Sequence, residues 1–566
     1  MRSKAWTLFA ALLLGACSTV PSSVSSASGV VSAADPRAAD AGAAMLRRGG
    51  SATDAALATL LALTVVEPQS SGIGGGGFLV TSDARGQVET YDGREEAPLS
   101  ATPDLFLKDG QPMTAAEAIP GGKSVGIPGN VRMMALAHAA HGKLAWSALF
   151  DPAIAFARDG FVLTQRLRNA LDRYRATGAL STEARSLYYA ADGKPLAAGT
   201  RVRNPRLAAS LTALAARGPD AFYVGPNAQA VAAAVSNASR NPTPMTPGDL
   251  AAYDARARAP VCGTYRNYRI CGMGPPSSGA TTVFAILKQV ERFDLEALGK
   301  ESPVAWHVIA ESMRLAFADR DRYLGDGDFV SVPVAGLTDP AYLAARSALI
   351  SVDRTQTNVT AGRPAGAPRY ALSPQPAEQG TSHFVATDRY GNVASLTSTI
   401  ESAFGSGLMV NGYYLNNELT DFNFVPSVAG VAVANRVEPG KRPRSSMAPT
   451  IVFGPDGRMR LAVGAAGGAT IIAQVAKAII GVIDWRLSAQ QAIALPVLFA
   501  PGDTVLVERG SAHEAMIPAL RALGHKVEAR EIGFKANAVE WIADGQGGGR
   551  WVGAADPRSE GTSIEE

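Results

Sequence analysis

Gly380-Thr381-Ser382-His383-Phe384-Val385-Ala386-Thr387 is the stretch on which the reading of the fold turns. Before it, Thr360 to Gly380 accumulates Pro, Gly, Gln and Ser with no hydrophobic period, as a linker or exposed loop does. After it, residues 383–387 and 393–399 read as two strands around the turn-forming cluster Asp388-Arg-Tyr-Gly-Asn392. An irregular segment thus gives way, at a hydroxyl residue, to a β-hairpin. That is the arrangement expected where a chain is cut to expose a nucleophile at the head of a strand. A threonine hydroxyl is a poor nucleophile unless a base takes its proton. An N-terminal threonine carries its own base, the α-amino group, whose reference pKa of about 7.7–8.0 is matched to neutral pH. That amine exists only after the Gly380–Thr381 bond breaks. Gly380 lets the backbone take the distorted turn that attack by Thr381 on its own preceding carbonyl needs. Taken alone, Thr-Ser-His fits a plain strand better than a nucleophile, so the case rests on what surrounds it.

The bulk composition sets the class. With 47% hydrophobic and 18% charged residues, the 566-residue chain fits a soluble globular protein with a large core. The formal charge of +3 is spread along the chain, without basic runs or heptads. Nucleic acid is therefore not an expected partner, and small molecules are. With six His in the chain and no Cys or His cluster at ligand spacing, no metal site is expected.

The N-terminus reads as a targeting segment. Arg2 and Lys4 precede an apolar run, Thr7 to Leu14, far too short to span a bilayer. Leu14-Gly15-Ala16-Cys17 resembles a bacterial lipobox. The expectation is a lipoprotein signal over 1–16, a lipidated Cys17 with a flexible tether over 17–34, a large fragment over 35–380 and a small catalytic fragment over 381–566. The mature protein would be exported and anchored to a bacterial outer membrane facing the periplasm; an ordinary signal peptide cut near Ala16 is the plainer alternative. In an oxidising compartment Cys262 and Cys271 can pair across a hairpin, because the segment between them alternates like two strands. Two reduced, buried thiols are the other reading.

Residues 38–46 and 52–66 read as small-residue helices, the second capped by Ser51 or Thr53. Gly72-x-Gly74-x-x-Gly77 is formally a dinucleotide fingerprint, but it follows a helical stretch and opens an apparent strand, the reverse of the required context. A tight turn with close backbone packing is the better reading. Residues 120–320 read as mostly helical, with Pro and Gly punctuation.

Downstream of Thr381 come Thr397-Ser-Thr399-Ile-Glu401, then Leu415-Asn-Asn-Glu418-Leu-Thr-Asp421, then Lys441-Arg-Pro-Arg-Ser445-Ser446, then Gly464-Ala-Ala-Gly467-Gly468. Upstream are Asp92-Gly-Arg94-Glu-Glu-Ala-Pro98 and Gly218-Pro-Asp-Ala-Phe222. In this order and spacing, over residues 35 to 560, the chain resembles the γ-glutamyltransferase family. The resemblance implies an α+β fold, the αββα N-terminal-nucleophile hydrolase sandwich, formed by two fragments of one precursor. It implies autocleavage at Gly380–Thr381, with Thr381 as nucleophile, Thr399 orienting it, and Gly467 and Gly468 as the oxyanion hole. Arg94, Ser445 and Ser446 would bind the substrate α-carboxylate. Glu418 and Asp421 would accept from its α-ammonium, with Glu401 in the same pocket. The implied reaction is transfer of a γ-glutamyl group, from glutathione or related compounds, to water, an amino acid or a dipeptide. No cofactor is implied. Phe422 to Arg444 falls where some members carry a lid loop; it is of intermediate length and lacks the Tyr often found there. A cephalosporin (glutaryl) acylase of the same fold, and a non-catalytic peptide-binding lipoprotein, are the competing readings. Retention of both Glu418 and Asp421 argues against the first, and the intact Thr381, Thr399 and Gly467-Gly468 against the second.

Overall fold

The computed structural model describes residues 29–373, 380–533, 535–546 and 548–566. The signal segment and Cys17 lie outside the described residues. Two antiparallel sheets stack face to face. The first runs Thr562–Glu565, Val30–Ala33, Ser382–Thr387, Val393–Thr399, Gly76–Ser82, Val88–Gly93, Arg256–Arg258. The second runs Gly549–Ala555, Asn537–Ala543, Met459–Gly464, Thr450–Phe453, Tyr268–Gly272, Val261–Tyr265. Helices Pro36–Arg47 and Ala52–Val66 cover the outer face of the first sheet, and Gly279–Val290, Pro303–Tyr323 and Thr470–Ile483 cover the second. The result is the four-layered αββα sandwich expected.

The hairpin at Thr381 occupies the middle of the first sheet, where both faces are covered. Phe384, Ala386 and Leu396 enter the core under the first helical layer, while Val385 and Val393 enter the core between the sheets. Alternate side chains therefore point into different cores, and the strands carry no solvent-exposed face. Cleavage before Thr381 would leave two fragments that share both sheets, since each sheet contains strands from either side of that bond.

Helix Ala52–Val66 is buried on every side, and its start is fixed by a capping box between Ser51 and Asp54. The glycine run before Gly76–Ser82 packs backbone against backbone: a Cβ on Gly75 would lie 1.9 Å from the Thr399 carbonyl oxygen. Cys262 and Cys271 face each other across the hairpin and are bonded.

One expectation changes. Val30–Ala33, assigned to the tether, is instead a fully buried strand paired with Ser382–Thr387 on one side and Thr562–Glu565 on the other. Its uncharged small residues suit a strand with two covered faces as well as they suit a linker. Phe422 to Arg444 carries a small hairpin, Ser427–Val428 with Val431–Ala432. Its base is anchored: Phe424 stacks on Phe106 at 4.3 Å, and the Asn435 side chain donates to the Asp421 carbonyl at 2.7 Å.

Candidate active site

Thr381 heads its strand in a conformation few residues adopt. Its φ is +100°, and that of Gly380 is +72°. For a β-branched residue this is a genuine outlier, of the kind held only where surrounding structure over-determines it. Three contacts do so. The Thr381 hydroxyl donates to Thr399 Oγ1 at 3.1 Å. The Gly467 N–H donates to the Gly380 carbonyl at 3.1 Å. The Lys535 ammonium reaches the Thr381 carbonyl at 3.4 Å. Thr399 Oγ1 in turn accepts the Glu401 N–H at 2.8 Å, which fixes its lone pairs relative to Thr381. Gly467 and Gly468, at φ +122° and +59°, form the turn before helix Thr470–Ile483, so its positive end faces the same carbonyl.

A second cluster gathers around Arg94, which is fully buried. Its guanidinium donates to Glu418 Oε1, to Asp421 Oδ2 at 2.5 Å, and to the carbonyls of Pro443 and Arg444 at 3.0 Å each. Burial alone would pull the guanidinium down, but Glu418 and Asp421 outweigh it and keep it protonated. Glu95 is buried beside it, and burial pushes its carboxyl up to about 7. Burial also drives Glu418 well above the ordinary range; Arg94 opposes that, while Glu95 and Glu401 add to it. Arg94 thus lies within 4 Å of three buried acidic side chains, Glu95, Glu418 and Asp421. Burial favours the neutral forms of Glu95 and Glu418, and a cationic ligand group brought beside them favours the charged forms.

The clusters touch through Glu401 and Asn417: the Asn417 amide donates to Glu401 Oε2, and Glu418 follows it in the chain. Ser445 and Ser446 adjoin the Arg94 cluster but are internally engaged. Ser445 Oγ accepts the Met447 N–H at 3.1 Å, and Ser446 Oγ accepts from Arg320 at 2.6 Å. All ten residues picked from sequence are therefore close to one another, in two linked clusters.

Glu67 and Lys535 were missed. Lys535 Nζ lies 2.9 Å from Glu67 Oε2 and 2.9 Å from Ser70 Oγ, directly beneath the head of the strand. The Ser382 hydroxyl donates to the same Glu67 oxygen at 2.8 Å. Burial, with Arg166 nearby, lowers the Lys535 ammonium to about 8 against the pull of Glu67. Burial pushes the Glu67 carboxyl up, yet Lys535 and Arg166 outweigh it and hold it below the usual range. These partners lie 468 residues apart in sequence, in runs with no motif.

Two antiparallel sheets between helical layers, with a hydroxyl residue heading a central strand, define the class of N-terminal-nucleophile hydrolases. The γ-glutamyltranspeptidase family model matches residues 38–565, and the chain belongs to that family. It is 36% identical over 547 residues to the glutathione hydrolase proenzyme of Bacillus subtilis, covering 95% of this chain and 91% of that one. It is 35% identical over 549 residues to the acylase ACY 1 proenzyme of a Pseudomonas strain, covering 95% and 93%. The crystal structure of cephalosporin acylase from Bacillus halodurans superposes with a TM-score of 0.82 at 26% identity, covering 95% of this chain and 96% of that one. The chain is thus an enzyme of a family with both hydrolase and acylase relatives.

Proposed function

We propose that the protein is a self-cleaving γ-glutamyl hydrolase and transferase whose nucleophile is Thr381. The observation that carries this reading is the Gly467 N–H on the Gly380 carbonyl, beside a Thr381 hydroxyl held by Thr399. In maturation the Thr381 oxygen attacks the Gly380 carbonyl carbon, and the Gly467 N–H stabilises the oxyanion. The C–N bond breaks, the amine takes a proton, and water hydrolyses the resulting ester. This frees the Gly380 carboxylate and the Thr381 α-amine. That amine, neutral, then accepts the hydroxyl proton as Thr381 attacks a γ-glutamyl amide. The proton passes to the departing amine, and the γ-glutamyl ester is released to water or to an amino acid or dipeptide.

The Arg94 cluster supports the choice of donor. A guanidinium amid three acidic side chains can meet a carboxylate and an ammonium on one carbon, as in a glutamyl head. The acylase reading draws support from the acylase relatives, but a glutaryl group has no ammonium to balance Glu418, Asp421 and Glu95. The test is a denaturing gel of purified protein together with turnover of γ-glutamyl and glutaryl anilides. Two bands and a preference for the γ-glutamyl donor are expected; a preference for glutaryl would install the acylase reading, and one inert band the binding-protein reading.

A further inference from the structure

A cavity of about 800 Å³ opens in front of Thr381, and Gly380, Thr381 and Gly467 lie in its wall. None of Arg94, Glu418, Asp421, Ser445 or Ser446 lines it. The scissile bond must sit at Thr381, with the acyl head on one side and the departing group on the other. If the head enters the Arg94 cluster, this cavity receives the remainder. Its volume falls within the range of small-molecule sites and admits a short peptide.

The charged side chains around it are mostly cationic. On helix Gln165–Arg173, the residues Arg166, Asn169, Ala170 and Arg173 all reach the cavity. Their spacing puts them on one face of that helix. Arg530, at the end of strand Lys526–Arg530, joins from the opposite wall. Glu531 is the one acidic residue in the lining, and Lys535 is committed to Glu67. Arg530 also pairs with Glu528 at 2.7 Å, and Arg166 stands 3.7 Å from Glu67, so Arg173 is the least engaged of the three. Tyr174, Phe499 and Leu506 supply apolar wall between the cations.

We propose that this cavity is the subsite for the leaving group and acceptor, and that Arg166, Arg173 and Arg530 make it select amines that carry a carboxylate. The proposal rests on the reading of Thr381 as nucleophile. Amino acids and peptides with a free carboxylate near the reacting nitrogen fit it; neutral amines gain only the apolar wall.

The test uses the self-cleaved enzyme and two donors that differ by one group: γ-glutamyl 4-nitroanilide and γ-glutamyl 3-carboxy-4-nitroanilide. The readout is the ratio of their kcat/KM values, carboxylated over plain, in wild type, Arg173→Gln and the Arg166→Gln/Arg173→Gln double variant. Wild type should favour the carboxylated donor. Each substitution should lower the ratio about 2- to 5-fold, the scale of partly exposed charge pairs, and added salt should lower it more in wild type than in the double variant, which keeps Arg530 alone. A ratio unchanged in the double variant, with both donors still cleaved, overturns the subsite and leaves the Thr381 reading standing. If self-cleaved wild type turns over neither donor, the γ-glutamyl reading falls and takes the subsite with it.

Discussion

The Gly467 N–H donates to the carbonyl oxygen of Gly380 at 3.1 Å, so the donor assigned to acyl transfer already grips the peptide bond before Thr381. On the proposed reading one oxyanion site serves two reactions, because both place the attacked carbonyl carbon next to the same hydroxyl. The positive φ of Thr381 adds a driving force. Such a conformation costs on the order of 1–3 kcal/mol, and breaking the bond that imposes it relieves the strain.

Maturation follows from this geometry. Thr381→Ala should run on a denaturing gel as one uncut chain, and wild type as two bands of roughly 38 kDa for residues 17–380 and roughly 19 kDa for residues 381–566, apportioned by residue number from 58.6 kDa for the full chain. Thr381→Ser keeps the hydroxyl and should still split. Gly380→Ala should block splitting, because its Cβ would fall 1.7 Å from the Glu401 carbonyl oxygen at a φ of +72°. Splitting of the Thr381→Ala chain would assign the cut to another protease.

Lys535 offers a sharper test. Removing it leaves Glu67 buried and unpaired, which costs about 3–5 kcal/mol when one partner of a buried pair is lost. Lys535→Met should therefore lower stability, and Glu67→Gln in the same chain should restore most of it. Activity should behave differently. A cation beside Thr381 disfavours protonation of the α-amine and so lowers its pKa. Without that cation the amine titrates higher, and the acidic limb of the kcat/KM profile should move to higher pH in Lys535→Met. Lys535→Arg should bring it back. A limb that stays in place would limit Lys535 to holding the fold.

The hairpin was legible from the composition break at Thr381, but the site residues were legible only through the order and spacing of motifs that resemble the γ-glutamyltransferase family. Arg94, Thr399, Glu401, Glu418, Asp421, Ser445, Ser446, Gly467 and Gly468 have no role that local pattern alone assigns. Glu67, Lys535 and Arg166 carry no such signal. They meet only because a helix end, the segment before a strand in the second sheet and an outer helix converge on one strand head. Val30–Ala33 was hidden for a related reason. Its pairing partner Thr562–Glu565 lies near the far end of the chain, and no local pattern records so distant a register.

Acid should unfold the protein through its histidines. Burial lowers His383 to about 3, and His513 and His525 to about 4, with neighbouring His307 adding to the effect at His525. The unfolded reference is about 6.5. As pH falls below 6.5 the unfolded chain binds protons that the folded chain refuses, so stability drops until about pH 3–4. Urea midpoints at pH 7.5, 6 and 4.5 should fall in that order, and His513→Gln should flatten the slope. An identical slope in that variant would place the acid sensitivity in the carboxylates instead.

Export through the lipobox is open to a direct check. If Cys17 carries the lipid, Cys17→Ala should move the activity from the membrane pellet to the soluble fraction. Activity that stays in the pellet would remove the lipobox reading without touching the catalytic one.

Selectivity depends on the acidic side chains around Arg94. Asp421 Oδ2 accepts from Arg94 at 2.5 Å, so Asp421→Asn keeps the shape and removes one of three acidic groups, while Glu418 and two backbone carbonyls still hold the guanidinium. A charged hydrogen bond to a substrate ammonium contributes about 1.5–3 kcal/mol. Its loss should lower kcat/KM for a γ-glutamyl anilide on the order of 10- to 100-fold. The matching glutaryl anilide lacks the ammonium and should lose little. It should even gain if one negative charge fewer eases entry of its carbon chain. Autocleavage should proceed at the wild-type rate, since the contacts described at the scissile bond come from Thr399, Gly467 and Lys535. The measurement is the ratio of the two kcat/KM values before and after the substitution. An equal fall for both donors would mean that Asp421 acts by holding Arg94 in place, and the ammonium would then have to be met by Glu418 and Glu95.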